Sequence, residues 1–192
     1  ARIGHICDGI CSAMSYLHNA MQCVHRDLSP HNVLLDGERV KLCDFGLTVP
    51  IADAGKDLAG ALLYLAPEVY SGQGRDCGTK SDVYSFAVVL YEMLSGVEPH
   101  VLSGDTPRAY AAAVARGYRP TLVHVADGWD RLISACWQPT PAARPPFVEV
   151  LSILQRLDRG HRRGGGGAGV YDVTSTDVAT TTTTATAATT TT

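Results

Sequence analysis

Along the first 158 positions, hydrophobic residues recur mostly at the spacing of helices. Steps of three and four residues place side chains on one face of a helix, so each such stripe predicts an amphipathic helix. The first stripe consists of Ile3, Ile6, Ile10, Met14 and Leu17. Two further stripes consist of Leu132, Ile133 and Trp137, and of Phe147, Val150, Leu151, Leu154 and Leu157.

The segment 79–95 differs from these stripes because it is apolar nearly all round. That pattern predicts a central helix buried on every side. Ser81 is the candidate N-cap and Gly96 the candidate C-terminal stop of this helix. Thr106 and Pro107 predict the start of another helix, which Gly117 ends.

One stretch, residues 32–45, interrupts the helical pattern. It contains two short apolar runs, 33–35 and 40–42, separated by Asp36-Gly37. An Asp-Gly pair between two such runs is a strong turn signal, so we predict a β-hairpin here. The expected fold is therefore mainly α with one small β-hairpin.

The hairpin predicts a site for a divalent cation. Antiparallel pairing brings the residue before the first strand beside the residue after the second, and these are Asn32 and Asp44 or their near neighbours. An amide oxygen and a carboxylate suit Mg²⁺, which takes one or two carboxylates with phosphate oxygens and water. Asp27 lies five residues before Asn32 and is expected in the same neighbourhood. A carboxylate that binds no metal can orient a hydroxyl and accept its proton.

The composition limits the classes of binding partner more than it limits the fold class. The chain has 192 residues, of which 45% are hydrophobic and 18% charged, and its net charge of −3 argues against binding nucleic acid or an anionic membrane. No apolar run approaches the roughly 18 residues that a membrane-spanning helix needs. The six cysteines show no zinc spacing, which favours reduced thiols in an intracellular protein. Cys7 and Cys11 could be metal ligands on one helix face, but we favour two small core residues.

The composition changes sharply after position 158. Residues 159–192 are rich first in glycine and then in threonine and alanine, with few large apolar side chains. Such a segment cannot offset the entropy cost of ordering, so we expect a disordered tail. The predicted organisation is one domain over 1–158 and a tail over 159–192. The first residue is Ala1, which suggests a piece of a longer protein.

Five motifs in order resemble those of protein kinases. The stretch HRDLSPHN at 25–32 resembles the catalytic loop, Asp44-Phe45-Gly46 the DFG motif, and Ala66-Pro67-Glu68 the APE motif. The segment 79–95 resembles the central helix of that family. CWQPTPAARPPF at 136–147 resembles the pattern of the tyrosine kinase and tyrosine kinase-like groups. The resemblance implies the C-terminal lobe of the kinase fold, in the tyrosine kinase-like group, with the N-terminal lobe absent.

The resemblance also implies a role for each matching residue. Asp27 would be the catalytic base, Asn32 and Asp44 the ligands of Mg²⁺ with ATP, and Leu34 the floor beneath the adenine ring. Phe45 would stack in the regulatory spine. The matches with structural or regulatory roles are His25, Arg26, Phe45, Gly46, Glu68, Asp82 and Arg144.

Three of these structural expectations specify contacts. His25 should stack with Phe45 and be held by Asp82 of the central helix. Glu68 should pair with Arg144. Arg26 occupies a position that often receives a phosphate from the activation segment, residues 44–68, and Asp53 or Asp57 could act there as a fixed anion.

The chain departs from the kinase pattern in two respects. Only 24 residues precede His25, and they hold no Gly-rich loop and no lysine of the V-A-I-K motif, so half of an ATP site is encoded. Ser29 and His31 stand where kinases usually carry a cation, and Ala61 stands where threonine is common. We expect serine/threonine-directed transfer to a protein substrate, and weak or no activity from this chain alone.

A second function remains open. A catalytically inactive, truncated kinase or pseudokinase lobe could act as a protein-binding module. The face that would meet the smaller lobe is expected to expose an apolar patch around Leu34 and Phe45. For either function we expect an intracellular protein in the cytoplasm, or the cytoplasmic part of a larger protein.

Overall fold

The computed structural model describes residues 3–55, 59–72, 78–103, 106–122 and 128–163. Within these residues the chain forms α-helices and two small antiparallel strand pairs, which confirms the expected fold class. The helices are α1 (Ile3–Asn19), α2 (Pro67–Tyr70), α3 (Thr79–Ser95), α4 (Pro99–Ser103), α5 (Pro107–Ala115), α6 (Trp129–Cys136) and α7 (Phe147–Arg163). The strands are β1 (Cys23–Val24), β2 (Val33–Asp36), β3 (Arg39–Leu42) and β4 (Val49–Pro50).

Helix α3 forms the centre of the core, as its uniformly apolar sequence predicted. Every residue of the stretch 81–91 is buried. The prediction of Ser81 as N-cap is wrong, because the helix begins after Gly78 and Ser81 lies in the first turn. The Ser81 hydroxyl donates to the Gly78 carbonyl at 2.7 Å instead of accepting a backbone N–H. Gly96 ends the helix as predicted, with φ +73° and its N–H bonded to the Glu92 carbonyl at 2.8 Å.

The amphipathic helices pack around α3 on their predicted faces. Helix α1 buries its stripe except for Ile6, which is partly buried, and packs against α7, and α6 packs against α3. Thr106 caps α5, since its hydroxyl accepts the N–H of Ala109 at 3.2 Å. Helix α7 continues to Arg163, so the boundary expected at 158 falls inside it. The tail from 164 lies outside the described residues.

The hairpin β2–β3 forms with a turn one residue later than predicted. Asp36 pairs with Arg39, so the two-residue loop is Gly37-Glu38, and Gly37 has φ +60°. The positive φ explains why glycine serves at the first loop position. The pair β1–β4, which the sequence analysis missed, consists of only two residues in each strand.

The hairpin lies directly on α1 because Gly9 has no side chain. A Cβ placed on Gly9 would lie 2.4 Å from the Cβ of Val40. This close approach anchors β3, and with it the whole hairpin, to the first helix. Among the described residues, no helix combines the length and apolarity needed to cross a membrane.

Candidate active site

The predicted catalytic loop is held by a buried carboxylate of α3. Asp82 is 1% exposed and accepts the backbone N–H groups of His25 and Arg26, both at 2.9 Å. Arg26 has φ +71°, a left-handed conformation that a residue with a Cβ rarely adopts. The two hydrogen bonds to one carboxylate offset this strain, so the central helix determines the path of the loop.

A histidine that the sequence analysis missed binds the same carboxylate. His18 is buried at the end of α1, and its Nε2 lies 2.8 Å from Asp82 Oδ2. Its ring also contacts the Phe147 ring, with 5.3 Å between centroids. Asp82 therefore joins α1, α3 and the loop. The sequence signal for a buried role of His18 was its position directly after Leu17, at the end of an apolar stripe.

Asp27 receives hydrogen bonds on both of its carboxylate oxygens. The amide nitrogen of Asn32 donates to Asp27 Oδ2 at 3.0 Å and to the Asp27 carbonyl at 2.8 Å. The backbone N–H of Ala61 donates to Asp27 Oδ1 at 2.8 Å. Since a carboxylate offers about four lone-pair sites, sites remain for a further donor such as a substrate hydroxyl.

The hairpin brings Asn32 to the start of the predicted DFG motif. Cys43 N–H donates to the Asn32 carbonyl at 3.0 Å, which extends the ladder one pair beyond Val33 and Leu42. The direct partner of Asn32 is thus Cys43, and Asp44 is the next residue. Asp44 is exposed, has φ +58°, and accepts the N–H of Gly46 at 3.2 Å. The positive φ turns the chain immediately after the strand.

The donor chemistry of this end of the hairpin fits Mg²⁺. Both hydrogen bonds of the Asn32 side chain use its nitrogen, which leaves the amide oxygen available as a ligand, and Asp44 follows the backbone partner of Asn32, Cys43. Mg²⁺ takes one or two protein ligands of this kind and completes its coordination with phosphate oxygens and water. Within the described ranges, no group of three or more His, Cys, Asp and Glu residues could hold a metal.

Exposed apolar side chains occur in β2 and just after β3. Leu34, Phe45 and Leu47, here together called the apolar face, are 49%, 51% and 39% exposed. Leu35 is 52% exposed but follows Leu34 in β2, so its side chain points to the other side of the strand. Phe45 also contacts the His25 ring, with centroids 5.2 Å apart. The Phe45 ring thus links the loop held by Asp82 to the apolar face.

The activation segment is attached to the helical core by a buried ion pair. Arg144 donates to both oxygens of Glu68, at 2.6 and 2.8 Å, and the two side chains are 0% and 6% exposed. Arg144 also donates to the carbonyls of Gln138, Lys80 and Pro139. The geometry is bidentate, and with the three carbonyls it satisfies all five donors of the guanidinium, which is what a buried charge requires.

A second attachment of the activation segment involves Tyr64. Its hydroxyl donates to Glu92 at 2.7 Å, and burial raises the pKa of both groups. Its carbonyl accepts the hydroxyl of Ser85 at 2.8 Å. Asp53 lies in a short 3-10 turn, whereas Asp57 lies outside the described residues, so its suggested role as an anion stays a prediction.

The buried cysteines lie away from this site and are not poised to react. Cys7, Cys11 and Cys136 are fully buried, and burial raises the pKa of each thiol. A raised pKa disfavours the reactive thiolate. These residues pack in the core, which agrees with the interpretation favoured from the sequence.

Comparisons with known proteins identify relatives over most of the chain. The family model described as "Protein tyrosine and serine/threonine kinase" matches residues 1–154. The human protein "Ankyrin repeat and protein kinase domain-containing protein 1" is 35% identical over 166 residues, covering 74% of this chain and 21% of the relative. Human "Receptor-interacting serine/threonine-protein kinase 3" is 37% identical over 154 residues, covering 72% and 30%.

A plant relative shows the same relationship. "Serine/threonine-protein kinase VIK" of Arabidopsis thaliana is 37% identical over 161 residues, covering 77% of this chain and 36% of that protein. The chain thus spans roughly a fifth to a third of the length of these three curated relatives.

Proposed function

We propose that this chain, which belongs to the protein tyrosine and serine/threonine kinase family, forms the catalytic-loop half of an active protein kinase. The reaction is transfer of the γ-phosphoryl group of ATP to a hydroxyl of a protein substrate. The observation that carries the proposal lies at one end of the hairpin, where Asn32 is hydrogen bonded both to Asp27 and to Cys43, the residue before Asp44.

Asp27 is the proposed catalytic base. As the hydroxyl oxygen of the substrate bonds to the γ-phosphorus and the bond to the ADP oxygen breaks, the hydroxyl proton passes to the Asp27 carboxylate. Its oxygens are fixed by donors from Asn32 and Ala61, so the base is held in one orientation before the substrate arrives.

Asn32 and Asp44 are the proposed metal ligands. Mg²⁺, when bound, neutralises charge on the phosphates of ATP. The carbonyl of Asn32 is bonded within the ladder and its side-chain nitrogen to Asp27, so the remaining amide oxygen is held rigidly. Leu34, half exposed on the apolar face, is the proposed floor beneath adenine.

The apolar face is the proposed contact with an N-terminal lobe encoded upstream. That lobe would supply the Gly-rich loop and the lysine that cover the phosphates in kinases. His25 and Phe45 would connect it to Asp82, because the two rings are already in contact. This connection assigns these residues, with Arg26 and Gly46, to positioning and not to proton transfer.

We further propose a serine or threonine hydroxyl as the acceptor, in intracellular, cytoplasmic signal transduction. Two of the relatives described above carry serine/threonine in their names. At positions 29 and 31 the chain has Ser29 and His31, so neither position supplies a lysine or arginine beside the transferred phosphate.

The test uses the protein extended by its upstream coding sequence, assayed for phosphoryl transfer from ATP to a mixture of peptides. Asp27→Asn should reduce kcat by roughly 10²-fold or more, the usual contribution of a general base, while Mg²⁺-ATP binding persists. Asp44→Asn should instead weaken Mg²⁺-dependent ATP binding. Full transfer activity in Asp27→Asn would refute the proposal.

The alternative function is a protein-binding module without transfer activity, and the exposed apolar face favours it. Partner binding by variants of the carboxylates and of the apolar face distinguishes the two functions. A module needs Leu34 and Phe45 but not the carboxylates, so partner binding would survive Asp27→Asn and Asp44→Asn and be lost in Phe45→Ser.

A further inference from the structure

The N–H of Ala61 makes a contact that the sequence pattern did not suggest. Ala61 stands where a threonine is common in kinases, so its side chain offers no hydroxyl. Its backbone nitrogen nevertheless donates to Asp27 Oδ1 at 2.8 Å, across 34 residues of sequence. Asn32 binds the other oxygen, Oδ2. The two donors together determine the direction of the carboxylate plane.

The close approach of Gly60 delivers this N–H to the carboxylate. Gly60 has φ +112°, and a Cβ there would lie 2.3 Å from the backbone oxygen of Arg26 and 3.1 Å from Leu65 Cδ2. Only glycine permits both the conformation and the contact. The activation segment therefore lies against the catalytic loop at this point, one residue before Ala61.

Helix α3 anchors both sides of this contact. On the loop side, Asp82 binds the N–H of Arg26, the residue against which Gly60 lies. On the segment side, the Ser85 hydroxyl binds the Tyr64 carbonyl, and Tyr64 N–H binds the Ala61 carbonyl at 2.9 Å. Asp82 and Ser85 are both buried. The distance between Ala61 and Asp27 is thus determined by the buried central helix.

We propose that the main-chain N–H of Ala61 is a positioning group for the Asp27 carboxylate, delivered by Gly60 and anchored through Ser85. This inference rests on the proposed function, because positioning matters only if Asp27 accepts a proton. It explains how the chain keeps its base oriented although the usual threonine is missing. Ala61 acts through Asp27 and touches no reacting atom.

The test is Ala61→Pro in the protein extended by its upstream coding sequence. Ala61 has φ −72°, which proline adopts without strain, and proline keeps the carbonyl that accepts from Tyr64. It removes the donor and puts a ring carbon where the hydrogen was. Ala61→Gly keeps the N–H and is the matched control. Gly60→Ala displaces the same N–H by a separate route, through the contact with Arg26.

The expected result is a loss of kcat by roughly 10- to 100-fold in Ala61→Pro and Gly60→Ala, the cost of a misplaced base, with the KM for ATP nearly unchanged. Ala61→Gly should lose much less kcat than Ala61→Pro, since the N–H and its bond to a charged acceptor are retained. Urea unfolding midpoints identify any variant whose loss comes from unfolding. A kcat in Ala61→Pro equal to that in Ala61→Gly would overturn the inference.

A spectroscopic measurement separates this inference from the proposed function. In NMR spectra of the 192-residue chain, the amide proton of Ala61 should exchange slowly with solvent, because it is hydrogen bonded. Its chemical shift should change in Asp27→Asn, because the charged acceptor is lost. An Ala61 signal unmoved by Asp27→Asn would overturn the contact even in an active kinase. If the parent transfers no phosphate while Ala61 responds to Asp27→Asn, the proposed function is refuted and the role of Ala61 with it, although the contact stands.

Discussion

The buried pair of Glu68 and Arg144 permits a quantitative prediction of stability. Glu68→Gln keeps the size of the side chain but removes the charge that neutralises a guanidinium with 0% exposure. Removing one partner of a buried pair costs about 3–5 kcal/mol, because the other charge stays buried. Three backbone carbonyls still accept from Arg144, so we expect the lower end, about 3 kcal/mol.

Arg144→Met should cost more, about 5 kcal/mol, because it leaves a buried carboxylate and three carbonyls without their donor. It also removes the guanidinium that lies 5.1 Å from the centre of the Tyr84 ring. The double variant should cost less than the sum of the two single variants, since neither charge is then left alone.

The assay is urea unfolding of the 192-residue chain, followed by fluorescence of Trp129 and Trp137. With a slope near 2 kcal/mol per molar urea, Glu68→Gln should lower the midpoint by roughly 1.5 M. The matched control is Asp36→Asn, which breaks a pair of 2.8 Å with Lys41 whose side chains are 66% and 54% exposed. An exposed pair contributes about 0–1 kcal/mol, so this midpoint should barely change.

The reasoning fails if Glu68→Gln destabilises the chain no more than Asp36→Asn does. The shortest distance is similar in the two pairs, 2.6 Å in the buried one and 2.8 Å in the exposed one, so burial and the bidentate geometry distinguish them, not distance. Salt offers a second criterion, because screening acts on exposed pairs and much less on buried ones. A loss in Glu68→Gln that vanished at high salt would contradict the argument.

Three further predictions follow from packing and burial. Gly9→Ala should destabilise the folded chain by about 1–3 kcal/mol, because the new Cβ would contact Val40. Adding Val40→Ala should recover part of that loss. Urea midpoints that show no recovery in the double variant would contradict the packing of the hairpin on α1. Burial raises the pKa of Tyr84 from its ordinary value of 10.0 to about 12, so its contribution to stability is full below pH 10.0 and is lost as pH rises toward about 12. The free energy of unfolding of Tyr84→Phe should therefore depend less on pH in that window than that of the parent. Equal pH dependence of the two proteins would refute this. Cys7 and Cys136 should resist a thiol reagent until urea unfolds the chain, as mapped by mass spectrometry, and labelling of either in the folded chain would argue against their burial.

Much of the fold could be predicted because its signals are local. The stripe of α1, the uniformly apolar α3 and the turn at Gly37 each depend on residues within one or two turns of chain. Local signals were less reliable at element ends. Ser81 resembles an N-cap by residue type, yet the preceding residues continue the helix and its hydroxyl donates instead.

For the candidate site, sequence order was enough to bring Asn32 near Asp44, since a two-residue turn leaves few possible registers. It was not enough to identify the direct partner of Asn32, which is Cys43. A difference of one residue in register moves a side chain to the other face of a strand, so this detail depends on how the hairpin packs on α1.

The sequence by itself determined the longer helices (α1, α3, α5, α6 and α7), the hairpin and the kinase motifs, because periodicity and spacing are properties of neighbouring residues. Only the tertiary structure decided that His18 binds Asp82 across 64 residues and that Ala61 binds Asp27 across 34. Such contacts depend on the direction of a side chain or an N–H after the helices have packed. No local pattern contains that direction, since it arises from the three-dimensional arrangement around α3.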